Sequence, residues 1–212
     1  MHACREEGEL VDMKDPVALF RIAEKFLREN GFGQEIDRFD NPRTLDEIDD
    51  LELLQTYAWV VFSSGMSNAV IKAKWGEITE AFRDFNPAEI MEDPDAVRRN
   101  ALNVFRHYGK VDAVIKTARL LLEEGVALRS RIKEDPLNAL DQLPFMGPVT
   151  KYHLARNLGF NYIKPDRQLV RLASKYEMTP FELCELIHQK TGRRLATIDA
   201  VLWRYCEQKG QT

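Results

Sequence analysis

The chain is poor in the residues that would mark a secreted, metal-bound or membrane protein. Its 212 residues include three cysteines, Cys4, Cys184 and Cys206, far apart and odd in number. That pattern offers no disulfide framework and suits a reducing compartment. It also falls short of the four-cysteine loop that an iron–sulfur cluster requires. The four histidines, His2, His107, His153 and His188, have no metal-ligand spacing with cysteine or acid, so no metal is expected. No apolar run approaches the length of a membrane span. The opening MHACREEGELVDMKD lacks the hydrophobic segment of a signal peptide and reads as a flexible lead-in over residues 1–15. The expectation is a cytoplasmic protein with no membrane partner.

Repeats, low-complexity tracts and period-two alternation are missing as well. What remains is helical periodicity in a chain of ordinary globular composition, 44% hydrophobic and 30% charged. Val17, Phe20, Ala23, Phe26 and Leu27 share one face of a helix over about Pro16 to Asn30, closed by Gly31 and Gly33. Loop chemistry fills Phe32 to Arg43. Thr44 followed by Glu47 has the spacing of a capping box for a helix reaching Ser63 or Ser64. Ser67 or Asn68 then caps a helix to about Phe85, and Pro87 and Pro94 open two more, the second ending at Gly109. Further helices cover Val111 to Glu124, Asp135 to Gln142, Pro180 to Gln189 and Ala196 to Gln208. The predicted fold is all-α, with about ten helices.

Charge is unevenly spread. The net formal charge is −4 and the pI about 5.7, which taken alone disfavours nucleic acid. Acids concentrate at Glu6 to Asp15 and at Asp40 to Glu52. From Gly147 to Lys175, however, six basic residues (Lys151, Arg156, Lys164, Arg167, Arg171, Lys175) face the single acid Asp166. A local basic face is compatible with contact to a polyanion, and equally with a solvated helix surface.

The most informative stretch is LPFMGPVTKYHLARNLGFNYIKPDRQLVRL, Leu143 to Leu172. It reads as a short helix ending at Leu-Pro, a turn through Met146-Gly147-Pro148, a second helix stopping at Gly159, and a loop to Lys164-Pro165. A third helix then opens at Asp166. A helix pair joined by a glycine-bearing turn presents backbone N–H groups at a helix N-terminus, a ready phosphate site.

On Leu143, Pro144, Met146, Gly147, Thr150 and the spaced Lys164-Pro165-Asp166-Arg167, this segment resembles the helix-hairpin-helix DNA glycosylases. That superfamily includes endonuclease III and the 3-methyladenine glycosylases. Weaker similarity runs from about Leu51 to the end. The resemblance implies a two-lobed helical bundle with a cleft between lobes. One lobe would hold residues 16–50 plus 162–212, and the other residues 51–161. It implies a monomer acting on double-stranded DNA that contains a damaged or modified base. It also implies base flipping, hydrolysis of the N-glycosidic bond, and no cofactor.

Carried over residue by residue, Asp166 is the catalytic carboxylate, stabilising positive charge on the sugar or activating water. Without the hairpin upstream it would read simply as a helix cap. Gly147, Val149, Thr150, Lys151 and Arg156 are the expected phosphate contacts, and Met66 the apolar wedge that fills the place of an extruded nucleotide. For Met66 a core position is the bland alternative. Tyr57, Trp59, Phe62, Tyr152 and His153 are candidates for the base pocket, or for plain core.

Two departures qualify the resemblance. Where bifunctional members carry a nucleophilic lysine, this chain has Val149. Lys151 lies two residues on, about 200° around a helix. That favours a monofunctional enzyme, with a lyase using Lys151 as the alternative. Phe145 replaces the first glycine of the usual turn, either as a core plug or as a DNA contact. A non-catalytic DNA-binding module that uses the hairpin only as a phosphate clamp stays open, as does an all-α interaction protein with no role on nucleic acid.

Overall fold

Prolines and short polar caps decide where helices start. Pro16, Pro87, Pro94, Pro136 and Pro180 each stand in a first turn, where the missing N–H costs nothing. Each is preceded by a side chain that accepts from a free backbone N–H: Asp15, Asn86, Asp93, Asp135 and Thr179. In the computed structural model, which describes residues 15–210, the chain is all-α. Twelve α-helices and one 3-10 turn are present among the described residues, and no strand. The expected flexible lead-in, together with Cys4 and His2, lies outside the described residues except for Asp15.

The chain divides into two units. Among the described residues, the first joins the chain up to Asp40 with that from Asp166 onward; the second is Asn41–Pro165. The first unit holds α1 (Pro16–Glu29), α2 (Gly33–Asp40), α10 (Arg167–Ser174), α11 (Pro180–Thr191) and α12 (Leu195–Gln208). Its core is the buried face of α1 (Leu19, Phe20, Ala23, Leu27) with Leu183, Ile187, Ile198, Val201 and Leu202. Around that core Asp40 accepts from Thr197 at 2.8 Å and pairs with Arg193 at 2.9 Å. Arg193 also meets Glu24, and Arg204 pairs with Glu35 at 2.8 Å. The loop expected over Phe32 to Arg43 is therefore largely helix α2, where Ile36 turns into the core beside Arg204's ion pair.

The second unit holds α3 (Asp50–Ser63), α4 (Asn68–Ala81), the 3-10 turn Arg83–Phe85, α5 (Pro87–Glu92), α6 (Pro94–Val104), α7 (Tyr108–Glu134), α8 (Pro136–Asp141) and α9 (Thr150–Asn157). Three expected boundaries move. Thr44 does not open α3: Glu47 folds back onto the Thr44 N–H at 2.6 Å within a turn, and Asp49 is the cap that accepts from Glu52 N–H. Helix α4 ends at Ala81, because Arg83, Asp84 and Phe85 take left-handed φ of 53°, 52° and 59°. The break expected between Gly109 and Val111 falls instead between Val104 and Tyr108, where α7 begins and runs 27 residues, bent at Glu124.

Boundaries between the units fall at Asp40/Asn41 and Pro165/Asp166, where the resemblance implied Leu51 and Asn161. The reason is local. Arg129 on α7 donates to the carbonyls of Leu45 and Ile48 at 2.8 and 3.0 Å and pairs with Asp50, binding that segment to the second unit. Gly159 (φ +92°) presses on the Arg43 carbonyl, where a Cβ would come within 2.4 Å, so only glycine fits there.

Candidate functional site

The hairpin is built from α8, a tight turn and α9, all in the second unit. Met146 N–H donates to the Leu143 carbonyl at 3.2 Å, with Pro144 second and Phe145 third at φ +62°. That is the geometry of a type II turn, which normally takes glycine at the third position. The turn is therefore kept without its glycine, and Phe145 carries the strain. Buried Tyr57 on α3 holds it from beneath, donating its hydroxyl to the Pro144 carbonyl.

Beyond the turn, Gly147 N–H donates to Thr150 Oγ1 at 2.7 Å, and the Gly147 carbonyl accepts from Lys151 N–H at 3.1 Å. The Gly147 N–H expected at a phosphate is thus engaged inside the hairpin. Among the described residues no partner is present for the N–H groups of Val149 and Thr150, which open α9. No acid stands in the first turn of α9. Helix α9 closes at Gly159 as expected, with Phe160 N–H reaching back to the Ala155 carbonyl at 3.1 Å. Lys151 pairs with Asp141 at 3.2 Å. Arg156 is half-buried in the last turn of α9. His153 is buried, and burial, with Lys164 and Arg156 nearby, holds its imidazole well below the usual histidine range.

Met66 lies in the connection between α3 and α4 and is 42% exposed, so the core alternative for it is excluded. The connection is pinned by a residue that sequence reasoning passed over. Lys110 on α7, only 3% exposed, donates Nζ to the carbonyls of Phe62 at 2.9 Å and Ser64 at 2.6 Å. Its Nζ also stands 5.7 Å from the Phe105 ring centre and 5.8 Å from that of Phe145. Burial lowers its pKa. A signal was present: Lys110, Val114, Ala118 and Leu121 form one apolar stripe, and a lysine in such a stripe needs carbonyl or π partners.

Of the expected pocket residues, Tyr57 and Phe62 are fully buried in the second unit's core and present no face to a base. That corrects the expectation for these two: Tyr57 supports the turn, and Phe62 packs edge-on to Phe82 and Phe105. Trp59 is half-buried and edge-on to Trp75 at 4.9 Å. Tyr152 is half-buried beside Tyr162. Phe145 is 41% exposed, so it is no core plug.

Asp166 is the N-cap of α10 in the first unit. Its Oδ1 accepts from Gln168 N–H at 3.0 Å and Leu169 N–H at 3.1 Å, and the side chain is half-buried. Gln168 in turn donates Nε2 to the Trp203 carbonyl at 2.7 Å, fixing the first turn of α10 against α12. Cys206 lies buried in the same unit, its thiol pushed up by burial and, more weakly, by the Asp166 carboxylate. Such a thiol is inert.

No family model, curated protein or solved structure matches the chain. The geometry therefore stands on its own. Among the described residues no group of three or more His, Cys, Asp or Glu is placed to hold a metal ion. No helix is long and apolar enough to cross a membrane.

Proposed function

We propose that this chain is a DNA N-glycosylase of the helix-hairpin-helix kind, which flips a damaged or modified base and hydrolyses its N-glycosidic bond with Asp166. The observation that carries the reading is the anchoring of that carboxylate. Two backbone N–H groups hold Oδ1, so the carboxylate plane is set before substrate arrives. As the base departs, positive charge develops on the sugar, and a fixed anion stabilises it without reorganising. The same carboxylate orients the water that completes hydrolysis. No cofactor enters these steps.

The hairpin supports the reading from the other unit. Its turn keeps a left-handed third residue even without glycine, and the N–H groups of Val149 and Thr150 lead an α9 free of first-turn acid. These suit a phosphate of double-stranded DNA, with Lys151 and Arg156 as flanking charge. Met66 is the proposed wedge, and Trp59, Tyr152 and His153 remain the proposed pocket contacts. Val149 has no amine, and Lys151 is engaged with Asp141, so the proposed enzyme is monofunctional. It would work as a monomer in the cytoplasm, reaching the nucleoid through DNA.

The test is a panel of end-labelled duplexes, each with one modified base, treated with wild type or Asp166→Asn and analysed with and without hot alkali. Strand breaks only after alkali, lost at least a hundred-fold in the variant (about 3 kcal/mol of transition-state stabilisation), are expected. Breaks without alkali that borohydride traps would instead assign an amine such as Lys151. DNA binding without base release on any substrate would favour the binding module.

A further inference from the structure

An exposed phenylalanine in a left-handed turn is doubly unfavourable. The backbone costs about 1–2 kcal/mol relative to glycine, and the ring, 41% exposed, recovers little by burial. Such an outlier is a pointer to function. The Phe145 ring is also held still. His107 meets it edge-on, with ring centres 5.6 Å apart at 83°, and the Lys110 ammonium stands 5.8 Å from its centre. Gly109 borders the ring on that side, where a Cβ would sit in ordinary contact at 3.5 Å.

The surroundings carry the exposed Arg106 and the buried Lys110 as positive charges. Arg106, His107 and Tyr108 are exposed at the start of α7, whose first turn, like that of α9, has no acid. Among the described residues Lys110 forms no ion pair with a carboxylate. Its ammonium also donates to the carbonyls of Phe62 and Ser64, which end α3 and lead directly into the connection bearing Met66. One buried ammonium thus ties together the only two segments of the second unit in which an exposed apolar side chain projects from a turn.

We propose that Phe145 is a second intercalating side chain, which stacks in an unstacked step of duplex DNA while Lys110 sets its position relative to Met66. The proposal rests on the DNA-binding part of the function above, and not on Asp166. The occupant is an opened base step because a planar, rigid ring beside these positive charges matches a π-face flanked by phosphates.

The test is equilibrium binding by fluorescence anisotropy, using an intact duplex and the same duplex carrying a stable abasic analogue. Wild type is compared with Phe145→Gly, which relieves the backbone strain and so keeps the fold, and with Phe145→Trp. Wild type is expected to prefer the abasic duplex. Phe145→Gly is expected to reduce that preference about ten-fold, the size of one lost base–aromatic stack, and Phe145→Trp to restore it. Lys110→Met is expected to lower the preference too, with the Phe145 ring and the Met66 side chain both intact. A preference unchanged in Phe145→Gly would overturn the proposal. So would an equal loss on both duplexes, which would mean that the turn only serves phosphate or another partner. Wild type that binds neither duplex would overturn both this and the DNA reading. Base release is not measured here, so loss of the Asp166 chemistry alone would leave the intercalation result standing.

Discussion

At the scale of single residues, the second unit buries two basic side chains and treats them differently. Lys110 keeps its ammonium on carbonyl oxygens and aromatic faces. His153 has only burial and the positive charges of Lys164 and Arg156 around it, so its imidazole stays neutral far below the ordinary value of 6.5. The unfolded chain binds a proton at His153 once the pH drops below about 6.5, while the folded chain does not. Stability from this residue is therefore full above that pH and is lost as the pH falls towards the depressed folded value. That loss sets in between pH 7 and pH 5, as the unfolded chain takes up the proton. Urea unfolding of wild type and His153→Leu at both pH values checks this: their stability difference should shift in favour of the variant as the pH falls. A constant difference would mean that His153 takes up its proton in the folded state. The sequence left His153 open between pocket and core, and only the place of Lys110 in the apolar stripe of α7 signalled its burial.

At the scale of elements, legibility follows local chemistry. Pro94 and Pro180 announced their helices because a cap and a proline act within four residues. Gly159 announced the end of α9 for the same reason. The left-handed turn at Arg83–Phe85 was invisible, since no glycine marks it and the pattern through Phe85 continues a helix. Tertiary packing enforces it: Phe85 stacks on Trp75 at 5.4 Å and on Phe82 at 5.6 Å, and burying such a ring yields about 2–3 kcal/mol. That gain offsets part of the strain, about 1–2 kcal/mol at each left-handed residue. Exposed Asp84, at φ 52°, isolates the backbone contribution. Asp84→Gly should exceed Asp84→Ala in stability by about 1 kcal/mol, read from denaturant midpoints at equal m-values. Equal stabilities would show that the residue leaves the left-handed region in solution.

At the scale of the whole molecule, helical class was written in the periodicity, but the discontinuity of the first unit is a long-range property. Nothing in the local sequence of α1 says that α12, at the far end of the chain, covers it. The contacts that do so are specific: Phe26 edge-on to Tyr205 at 5.6 Å, Arg193 to Glu24 and Asp40, Thr197 to Asp40, and Arg204 to Glu35. A chain ending at Ser174, without α11 and α12, would strip partners from Leu19, Phe20, Ala23 and Leu27. Each large side chain among these forfeits about 1.5–3 kcal/mol on exposure, against a typical domain stability of about 5–15 kcal/mol, so α1 and α2 cannot hold their places. The second unit keeps its own core, centred on Tyr57, Phe62, Phe82 and Phe85, whose partners all lie within residues 41–165. Limited proteolysis of that truncated chain should cut first within residues 16–40 and leave a resistant helical fragment close to residues 41–165, detectable by mass spectrometry and circular dichroism. Digestion of the whole truncated chain at one rate would instead mean that the two units fold as a single cooperative body.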